Sequence, residues 1–286
     1  MDKIALGTVQ FGLDYGINNK SGQVKYSEVN KILETAYKKN INLLDTSIAY
    51  GNSEQVIGDI LKQNKYDFAI VTKYYNPKNI KFEQVINNSL NNLNQKSING
   101  YLLHHFNVYE NNKNIWNNFI QLKRNGITEK TGFSLYHTKE LEIILEDNIE
   151  FDIVQIPYSI FDRRFEDYFE ILSNKKVEIN VRSVFLQGLV FKKEDELSDH
   201  FSKIKPKLRL LQQISAENNL PISSICINFA VNNKFIDKVI IGVDNNKNLC
   251  ENLKSLEDKE KDCSLYDKLD FLKEKDENII LPINWR

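Results

Sequence analysis

The chain has 286 residues, 41% of them hydrophobic and 27% charged, and its 38 Lys and Arg against 39 Asp and Glu leave a net charge of −1. This composition is typical of a globular protein and excludes a field of one sign that would attract nucleic acid or an anionic membrane surface. Cys226, Cys250 and Cys263 are too widely spaced for a zinc site, and their odd number argues against a disulfide framework. We expect no metal site, no nucleic-acid partner and no membrane partner.

The N-terminal residues, MDKIALGTVQFG, lack the basic segment and the uninterrupted apolar stretch of a signal peptide. No run of 18 apolar residues occurs in the sequence, which predicts that the chain does not span a membrane. No internal repeat, proline-rich linker or low-complexity tract divides the chain. We therefore expect a cytoplasmic protein with one domain over residues 1–286.

Eight short apolar runs predict β-strands from one end of the chain to the other. Most are apolar at consecutive positions, as in the Phe-Ala-Ile-Val run at 68–71, which is typical of strands covered on both faces. The predicted strands are residues 4–9, 41–45, 68–73, 98–104, 130–134, 151–156, 177–183 and 238–242.

Amphipathic helices are predicted between these strands. The first has Ser27 as its N-cap and an apolar stripe at helical spacing, formed by Val29, Ile32, Leu33, Ala36 and Tyr37. Similar stripes begin at Val85 and at Ile115, and Gly126 follows the latter where a C-cap residue is expected.

Alternation of strands and helices is typical of parallel βαβ units, and their simplest closure is a (β/α)8 barrel, the TIM barrel of the α/β class. An open doubly wound sheet is the rival architecture, but the first strand is not followed by the GxGxxG turn of such dinucleotide-binding sheets. The segment 191–202 and the charged C-terminal tail 257–286 depart from the alternation. We expect both of them near the mouth of the barrel.

Polar side chains follow three neighbouring predicted strands at the point where each strand ends. Asp45 ends the second strand and Tyr50 comes shortly after it, while Lys73 ends the third strand and His104 the fourth. The active site of a (β/α)8 barrel lies at the carboxyl ends of its strands, so these side chains are expected on one rim. A carboxylate, a phenol, an ammonium and an imidazole in one place favour acid catalysis.

The expected chemistry begins with the phenol of Tyr50. A free phenol has a pKa of about 10, which makes it an inefficient proton donor at neutral pH. An ammonium within a few Å should lower that pKa, and Asp45 should fix the position of Lys73 and keep it charged. Tyr50 would then protonate a carbonyl oxygen while hydride reaches the carbonyl carbon, and His104 would hydrogen-bond the same oxygen.

At these residues the chain resembles the aldo-keto reductase family, in particular a bacterial branch of it. The resemblance implies a (β/α)8 barrel and NAD(P)H-dependent reduction of a small-molecule aldehyde or ketone. It assigns Tyr50 as the proton donor, Lys73 and Asp45 as the pair that tunes it, and His104 as the residue that orients the carbonyl. The matching stretches keep the family's order and are residues 41–51, 53–58, 72–73, 102–104, 130–134, 154–156, 183–189 and 239–252.

The resemblance also implies where the nicotinamide would lie. Ser134 and Gln155 match residues that bind its carboxamide, but Leu135 replaces the Asn that usually follows that Ser. Many members stack a Tyr on the nicotinamide where this chain has Arg182. The planar guanidinium could stack in the same way or could hold a substrate anion, and the sequence leaves both open.

The loop after the last strand matches the family's binding segment for the adenosine and its 2′-phosphate. Relatives often place an Arg clamp where Asn248 stands, whereas Lys247 would offer only a point charge. Asp244 would repel a phosphate or accept a hydrogen bond from the ribose. NADPH is the cofactor that the family implies, and use of NADH stays open. The matching residues are Gly242, Lys247, Asn248, Glu251 and Asn252.

The substrate is less well defined by the sequence. The bacterial branch that residues 6–16 and 182–189 resemble is associated with surface-carbohydrate synthesis, which points to a sugar-derived carbonyl. The oligomeric state stays open. The aromatic candidates for the pocket are Phe11, Tyr15, Tyr74, Phe106, Phe161 and Trp285.

Two other classes of function compete with a carbonyl reductase. A regulatory or interaction subunit would keep the barrel and the NADP site but turn over slowly, although binding alone needs no tuned proton donor. A barrel aldolase or isomerase would form a Schiff base at Lys73, which a protonated lysine paired to Asp45 disfavours.

Overall fold

The computed structural model describes residues 2–75, 80–256 and 268–285. Eight parallel strands form a closed barrel in sequence order, because β1 pairs with β2 on one side and with β8 on the other. The strands are β1 (Ile4–Gly7), β2 (Leu43–Asp45), β3 (Ala69–Tyr74), β4 (Ile98–Leu103), β5 (Thr128–Ser134), β6 (Ile153–Pro157), β7 (Glu178–Arg182) and β8 (Lys238–Gly242). The predicted (β/α)8 barrel and all eight predicted strands are confirmed, with strand ends that differ by no more than two residues.

The helices lie between the strands and cover the outside of the barrel. Their bounds are α1 (Val9–Gly12), α2 (Tyr26–Lys38), α3 (Ser53–Asn64), α4 (Phe82–Leu93), α5 (Asn107–Asn111), α6 (Ile115–Arg124), α7 (Thr138–Glu146), α8 (Phe169–Asn174), α9 (Lys205–Asn218), α10 (Ile222–Val231) and α11 (Asn246–Ser255). The three predicted amphipathic stripes belong to α2, α4 and α6. Gly126 follows α6 with a φ of 70°, as its predicted position after the C-cap requires.

The predicted N-cap of α2 is wrong. The cap is Lys25, whose backbone is extended, and Ser27 lies inside the first turn. The carbonyl of Lys25 accepts the first helical hydrogen bonds from the N–H groups of Glu28 and Val29. The helix therefore begins without a side-chain cap, and the Glu28 carboxylate supplies negative charge to its first turn instead.

The interior of the barrel is filled by a layer of apolar side chains that is separate from the larger core between strands and helices. A glycine in β5 tightens this interior, because a Cβ on Gly132 would lie 1.8 Å from the carbonyl oxygen of Ile153 in β6. The layer consists of Ala5, Leu43, Val71, Leu102, Ile153 and Ile240.

The described part of the C-terminal tail, 268–285, contacts the loop after β6 through hydrogen bonds and ion pairs. Arg163 donates to the carbonyl of Leu269 at 2.6 Å, and Arg164 forms ion pairs with Asp162 at 2.8 Å and with Glu277. The tail contains the short helical turns Asp270–Leu272, Glu277–Ile280 and Pro282–Asn284. Since that loop follows the carboxyl end of a strand, the tail borders the end of the barrel where the predicted site lies.

The segment 191–202, which departs from the predicted alternation, is largely made of short 3-10 turns, at Leu186–Phe191, Glu194–Glu196 and Asp199–Ile204. Within the described residues, no helix combines the length and the apolarity needed to cross a membrane. The same part of the chain holds no cluster of three His, Cys, Asp or Glu side chains arranged for a metal ion.

Candidate active site

Polar side chains form the next layer of the barrel toward the carboxyl ends of the strands. Successive strand residues point to opposite faces, so a residue two positions after a member of the interior apolar layer points into the barrel above it. β1 and β8 carry glycines at that level, Gly7 and Gly242, which leave space on one side of the barrel. Strands β2 to β6 fill the level with Asp45, Lys73, His104, Ser134 and Gln155, all of them buried.

An ion pair lies at the centre of this layer. Lys73 is fully buried, and its Nζ donates to Asp45 Oδ1 at 2.7 Å and to the carbonyl of Thr46 at 2.8 Å. The other carboxylate oxygen, Oδ2, accepts a 2.7 Å hydrogen bond from Gln155 Nε2. Burial lowers the pKa of Lys73, and the Asp45 carboxylate opposes that shift. These hydrogen bonds fix the positions of the Lys73 ammonium and of both Asp45 carboxylate oxygens.

Tyr50 and His104 lie above the ion pair. The Lys73 Nζ is 5.2 Å from the centroid of the Tyr50 ring, and the rings of Tyr50 and His104 meet edge to face at 5.7 Å. The structure therefore brings together the four side chains that the sequence placed at strand ends. The predicted cluster exists as a contiguous group.

The predicted direction of the pKa shift on Tyr50 is wrong for this arrangement. Burial raises the pKa of Tyr50 well above its ordinary value, Asp45 and Tyr136 raise it further, and Arg182 opposes them. The physical reason is that burial penalises the charged phenolate, and the Asp45 carboxylate places a like charge near it. Tyr50 consequently remains a protonated phenol at neutral pH.

His104 is held neutral. Burial, with the nearby Lys73 cation, lowers the pKa of His104 to about 2. Its Nδ1 lies 3.1 Å from Ser47 Oγ, and that oxygen already accepts a hydrogen bond from the backbone N–H of Ala49. The Ser47 hydroxyl hydrogen can therefore point to Nδ1, and the tautomer that matches this arrangement carries the ring hydrogen on Nε2.

The neutral state of His104 predicts a pH dependence of stability. Its pKa is about 2 when folded and about 6.5 when unfolded, so below about pH 6 the unfolded state binds a proton that the folded state does not. The free energy of unfolding should fall with decreasing pH by up to about 1.4 kcal/mol per unit from this residue. Denaturant titrations at several pH values should give a shallower dependence for His104→Gln than for the wild type. The exposed His200→Gln serves as the control, and equal slopes for wild type and His104→Gln would contradict the assignment.

A cavity of about 390 Å³ opens above the layer. Tyr50 and His104 line one part of it, and Asn248, Glu251 and Asn252 on α11 line another, with Gly7 and Gly242 also at the wall. Ser134, Arg182 and Asp244 belong to the same lining. Most of the residues predicted to hold a cofactor therefore face one continuous space.

Two of the predicted cofactor residues do not line this cavity. Gln155 lies beneath it, with its amide committed to Asp45. Lys247 points to solvent, with a side chain that is 84% exposed and an ion pair to Glu251 at 3.7 Å. The ammonium predicted to meet a 2′-phosphate is thus directed along the outside of α11.

Arg182 is held at the cavity wall by its neighbours. Its guanidinium lies over the ring of Tyr136 at 4.3 Å, and Nη2 donates to the carbonyl of Leu135 at 3.0 Å. His105 stacks between Tyr136, at 6.4 Å, and His104, at 4.6 Å. A cation and three rings therefore form one connected wall beside Tyr50.

Sequence reasoning missed several residues of the cavity. Tyr136 lies two residues after the end of β5 and could have been found by the same strand-end rule that found Lys73. Among the six aromatic candidates, only Tyr15 lines the cavity. Phe11, Tyr74, Phe106 and Phe161 are core residues, and Trp285 packs against Phe201. The missed cavity residues are Gln10, Tyr136, Phe185, Gln187 and Phe191.

The cavity fits an elongated dinucleotide. A Cβ on Gly242 would lie 2.8 Å from the amide atoms of Gln10, so glycine at this position avoids a clash in the cavity wall. The Oε1 of Gln10 is buried and has no hydrogen-bond partner in the described part of the chain, which leaves an acceptor at the wall for a bound group. Tyr50 and His104 lie at one end of the cavity and the first turns of α11 at the other. A dinucleotide likewise carries its nicotinamide and its adenosine at opposite ends.

Solved structures share the fold. The holo form of the aldo-keto reductase AKR11C1 from Bacillus halodurans superposes with a TM-score of 0.77, at 19% identity, over 94% of this chain and 91% of that one. A mutant of Gox0644 in complex with NADPH superposes with a TM-score of 0.71, at 18% identity, over 96% of this chain and 90% of that one.

Sequence comparison gives the same family. The curated relative YqkF of Bacillus subtilis (strain 168), an uncharacterized oxidoreductase, is 23% identical over 282 residues, which cover 89% of this chain and 91% of the relative. The model of the aldo/keto reductase family matches residues 3–272. The chain therefore belongs to the aldo/keto reductase family of NAD(P)H-dependent enzymes.

Proposed function

We propose that this protein reduces an aldehyde or ketone with hydride from NAD(P)H. The observation that carries the proposal is the buried Asp45–Lys73 ion pair directly beneath a protonated Tyr50 and a neutral His104, at the floor of an open cavity. Paired groups whose environments hold them in defined protonation states are what an acid catalyst requires. Asp45 lines the cavity, whereas Lys73 lies below it, so the ion pair forms part of the floor on which Tyr50 and His104 are positioned.

Tyr50 and His104 act together on the carbonyl oxygen. The tautomer of His104 presents an Nε2 hydrogen, and Tyr50 presents a phenolic hydrogen, so two neutral donors can polarise one oxygen. Bound NAD(P)H supplies the hydride to the carbonyl carbon. The oxygen then gains negative charge, and an alkoxide is a stronger base than a phenolate even when the pKa of the phenol is raised. Tyr50 therefore gives up its proton only as the alkoxide forms.

We assign the cofactor-holding role to residues of the cavity wall. Ser134 at the end of β5 is placed to bind the carboxamide of the nicotinamide, and Arg182 offers a flat cationic surface beside it. Asn248, Glu251 and Asn252 supply polar contacts at the far end. Gly242 leaves room for the dinucleotide between the two ends. The Leu135 carbonyl, which a carboxamide could otherwise use, is already bonded to Arg182.

The substrate class that the cavity supports is a polar carbonyl compound. Tyr15 Oη accepts a 2.8 Å hydrogen bond from Gln187, and Asn18 and Asn19 also line the wall. Aromatic surfaces combined with amide groups suit a hydroxylated, sugar-derived carbonyl, as the bacterial branch implies. Arg182 adds a cation to the same part of the cavity.

The alternative functions find less support. Lys73 has no exposed surface and makes two hydrogen bonds through Nζ, so a carbonyl substrate has no path to a Schiff base there. A regulatory NADP-binding subunit would need the cavity, but it would not need Tyr50 and His104 held as hydrogen-bond donors at the floor of that cavity.

The direct test is calorimetric titration of the protein with NADPH and with NADH, followed by a turnover assay on aldoses, aliphatic aldehydes and 2-oxo acids. Calorimetry is preferable to tryptophan quenching because neither Trp116 nor Trp285 lines the cavity. We expect binding of a reduced cofactor and oxidation of that cofactor only when a carbonyl is added. Binding without turnover on every carbonyl class would favour the regulatory subunit, and absence of binding would overturn the proposal.

A further inference from the structure

Two of the first backbone donors of α11 are already bonded to the protein's own side chains. The N–H of Asn246 donates to Glu28 Oε1, from α2, at 2.9 Å, and the N–H of Asn248 donates to the side chain of its N-cap, Asn245, at 2.9 Å. A helix N-terminus binds anions through its free N–H groups and its dipole. Here a carboxylate from another helix occupies that position.

A second carboxylate lies near the start of α11, and this one lines the cavity. Asp244 lines the cavity one residue before the N-cap of α11, and its pKa is raised by burial while a hydrogen bond with Gln10 lowers it. The charged neighbours are Lys31, which is 3.4 Å from Glu28, and Lys247, which is paired with Glu251. Both lysines are mostly exposed, each is matched by an acid, and neither lines the cavity, so neither offsets the charge of Asp244 at this part of the wall.

The part of the dinucleotide that meets α11 follows from the cavity itself. Reduction at Tyr50 and His104 requires the nicotinamide at that end, so the adenosine must extend toward the lining residues Asn248, Glu251 and Asn252. NADPH differs from NADH only by a 2′-phosphate on the adenosine. This end of the cavity therefore decides between the two cofactors.

We propose that Glu28 and Asp244 select against the 2′-phosphate, so that NADH binds at least as tightly as NADPH. The inference rests on the proposed function, because it requires a nicotinamide dinucleotide in this cavity. Glu28 takes the helix N–H that a phosphate would use, and Asp244 adds a like charge beside it, which is the repulsive component that specificity often needs. Asn248, whose side chain carries no charge, offers no compensating cation.

The experiment compares dissociation constants for NADPH and NADH, measured by calorimetry without any substrate. Glu28→Gln keeps an oxygen that can accept from Asn246 but removes the charge, and Asp244→Asn does the same at the cavity wall. We expect the double variant to bind NADPH at least about tenfold more tightly relative to NADH than the wild type does. Glu34→Gln, on the same helix α2 and paired with Lys38, is the matched control and should leave the ratio unchanged.

Salt dependence of the wild type gives a second readout that needs no variant. If like charges face the 2′-phosphate, added salt screens the repulsion, and the affinity for NADPH relative to NADH should rise with ionic strength. If cations bound the phosphate instead, the affinity for NADPH relative to NADH would fall with ionic strength. Tighter binding of NADPH by the wild type, or a ratio that the double variant leaves unchanged, would overturn the inference while leaving the reductase intact. Failure of both cofactors to bind would overturn the reductase and the inference together.

Discussion

Replacing Tyr50 with Phe should lower kcat/KM for carbonyl reduction by about 10²–10⁴-fold, the range that a positioned general acid contributes. The substitution removes one oxygen from a ring that rests beside His104 and above Lys73, so the packing of the site should be preserved. The dissociation constants of NADPH and NADH should stay nearly unchanged, because the phenol acts on the substrate. Steady-state kinetics together with calorimetry would measure both effects.

Tyr15→Phe is the matched control for this experiment. Tyr15 lines the same cavity and also has a hydroxyl held by a hydrogen bond, to Gln187, and burial raises its pKa to about 12. It lacks the neighbouring ion pair, so its loss should affect KM more than kcat. If Tyr50→Phe kept more than about a tenth of the wild-type rate, Tyr50 would not be the proton donor.

Replacing Asp45 with Ala should destabilise the fold by about 3–5 kcal/mol, because it leaves the ammonium of Lys73 buried without its counter-charge. The cost is large since Lys73 has no exposed surface through which water could take over. Denaturant-induced unfolding followed by circular dichroism would give the difference in the free energy of unfolding.

Two further variants separate the buried charge from a general effect of substitution. Asp45→Ala combined with Lys73→Met should recover much of the lost stability, because removing both charges also removes the desolvation penalty. Glu34→Ala, which breaks an exposed ion pair with Lys38, should cost less than about 1 kcal/mol. A double variant no more stable than Asp45→Ala alone would show that the ion pair is not the origin of the loss.

The strands and the polar side chains at their carboxyl ends were predictable from the sequence because local pattern determines them. Continuous apolar runs mark strands that are covered on both faces, and the period of two along each strand then carries Asp45 and Lys73 to the level above the interior layer. A polar residue directly after such a run is a signal that can be read without a structure. His104 and Ser134 follow the same rule.

The electrostatics of the site could not be predicted in the same way. The pKa of Tyr50 depends on how far the phenol is buried and on the carboxylate of Asp45 near it, and both are set by the packed structure. Glu28 contacts Asn246 across 218 positions of sequence, so nothing local to α11 indicates that its N-terminus is occupied. Lys247 appeared suitable by position, but the rotation of α11 turns it outward. These outcomes depend on tertiary packing and not on local pattern.

Because β1 pairs with β8, the first strand cannot complete its hydrogen bonding until the last strand has been synthesised. Residues Ile4–Gly7 find their β8 partners, Val239–Gly242, only after the intervening chain has left the ribosome. At about 5–20 residues per second, that interval is roughly 10–50 s. For this period one edge of β1 presents unpaired N–H and C=O groups next to buried apolar side chains, which is the arrangement that recruits other strands. We therefore expect nascent chains to be most prone to aggregation before residue 242 emerges, and truncation ahead of β8 should yield aggregates instead of a smaller barrel.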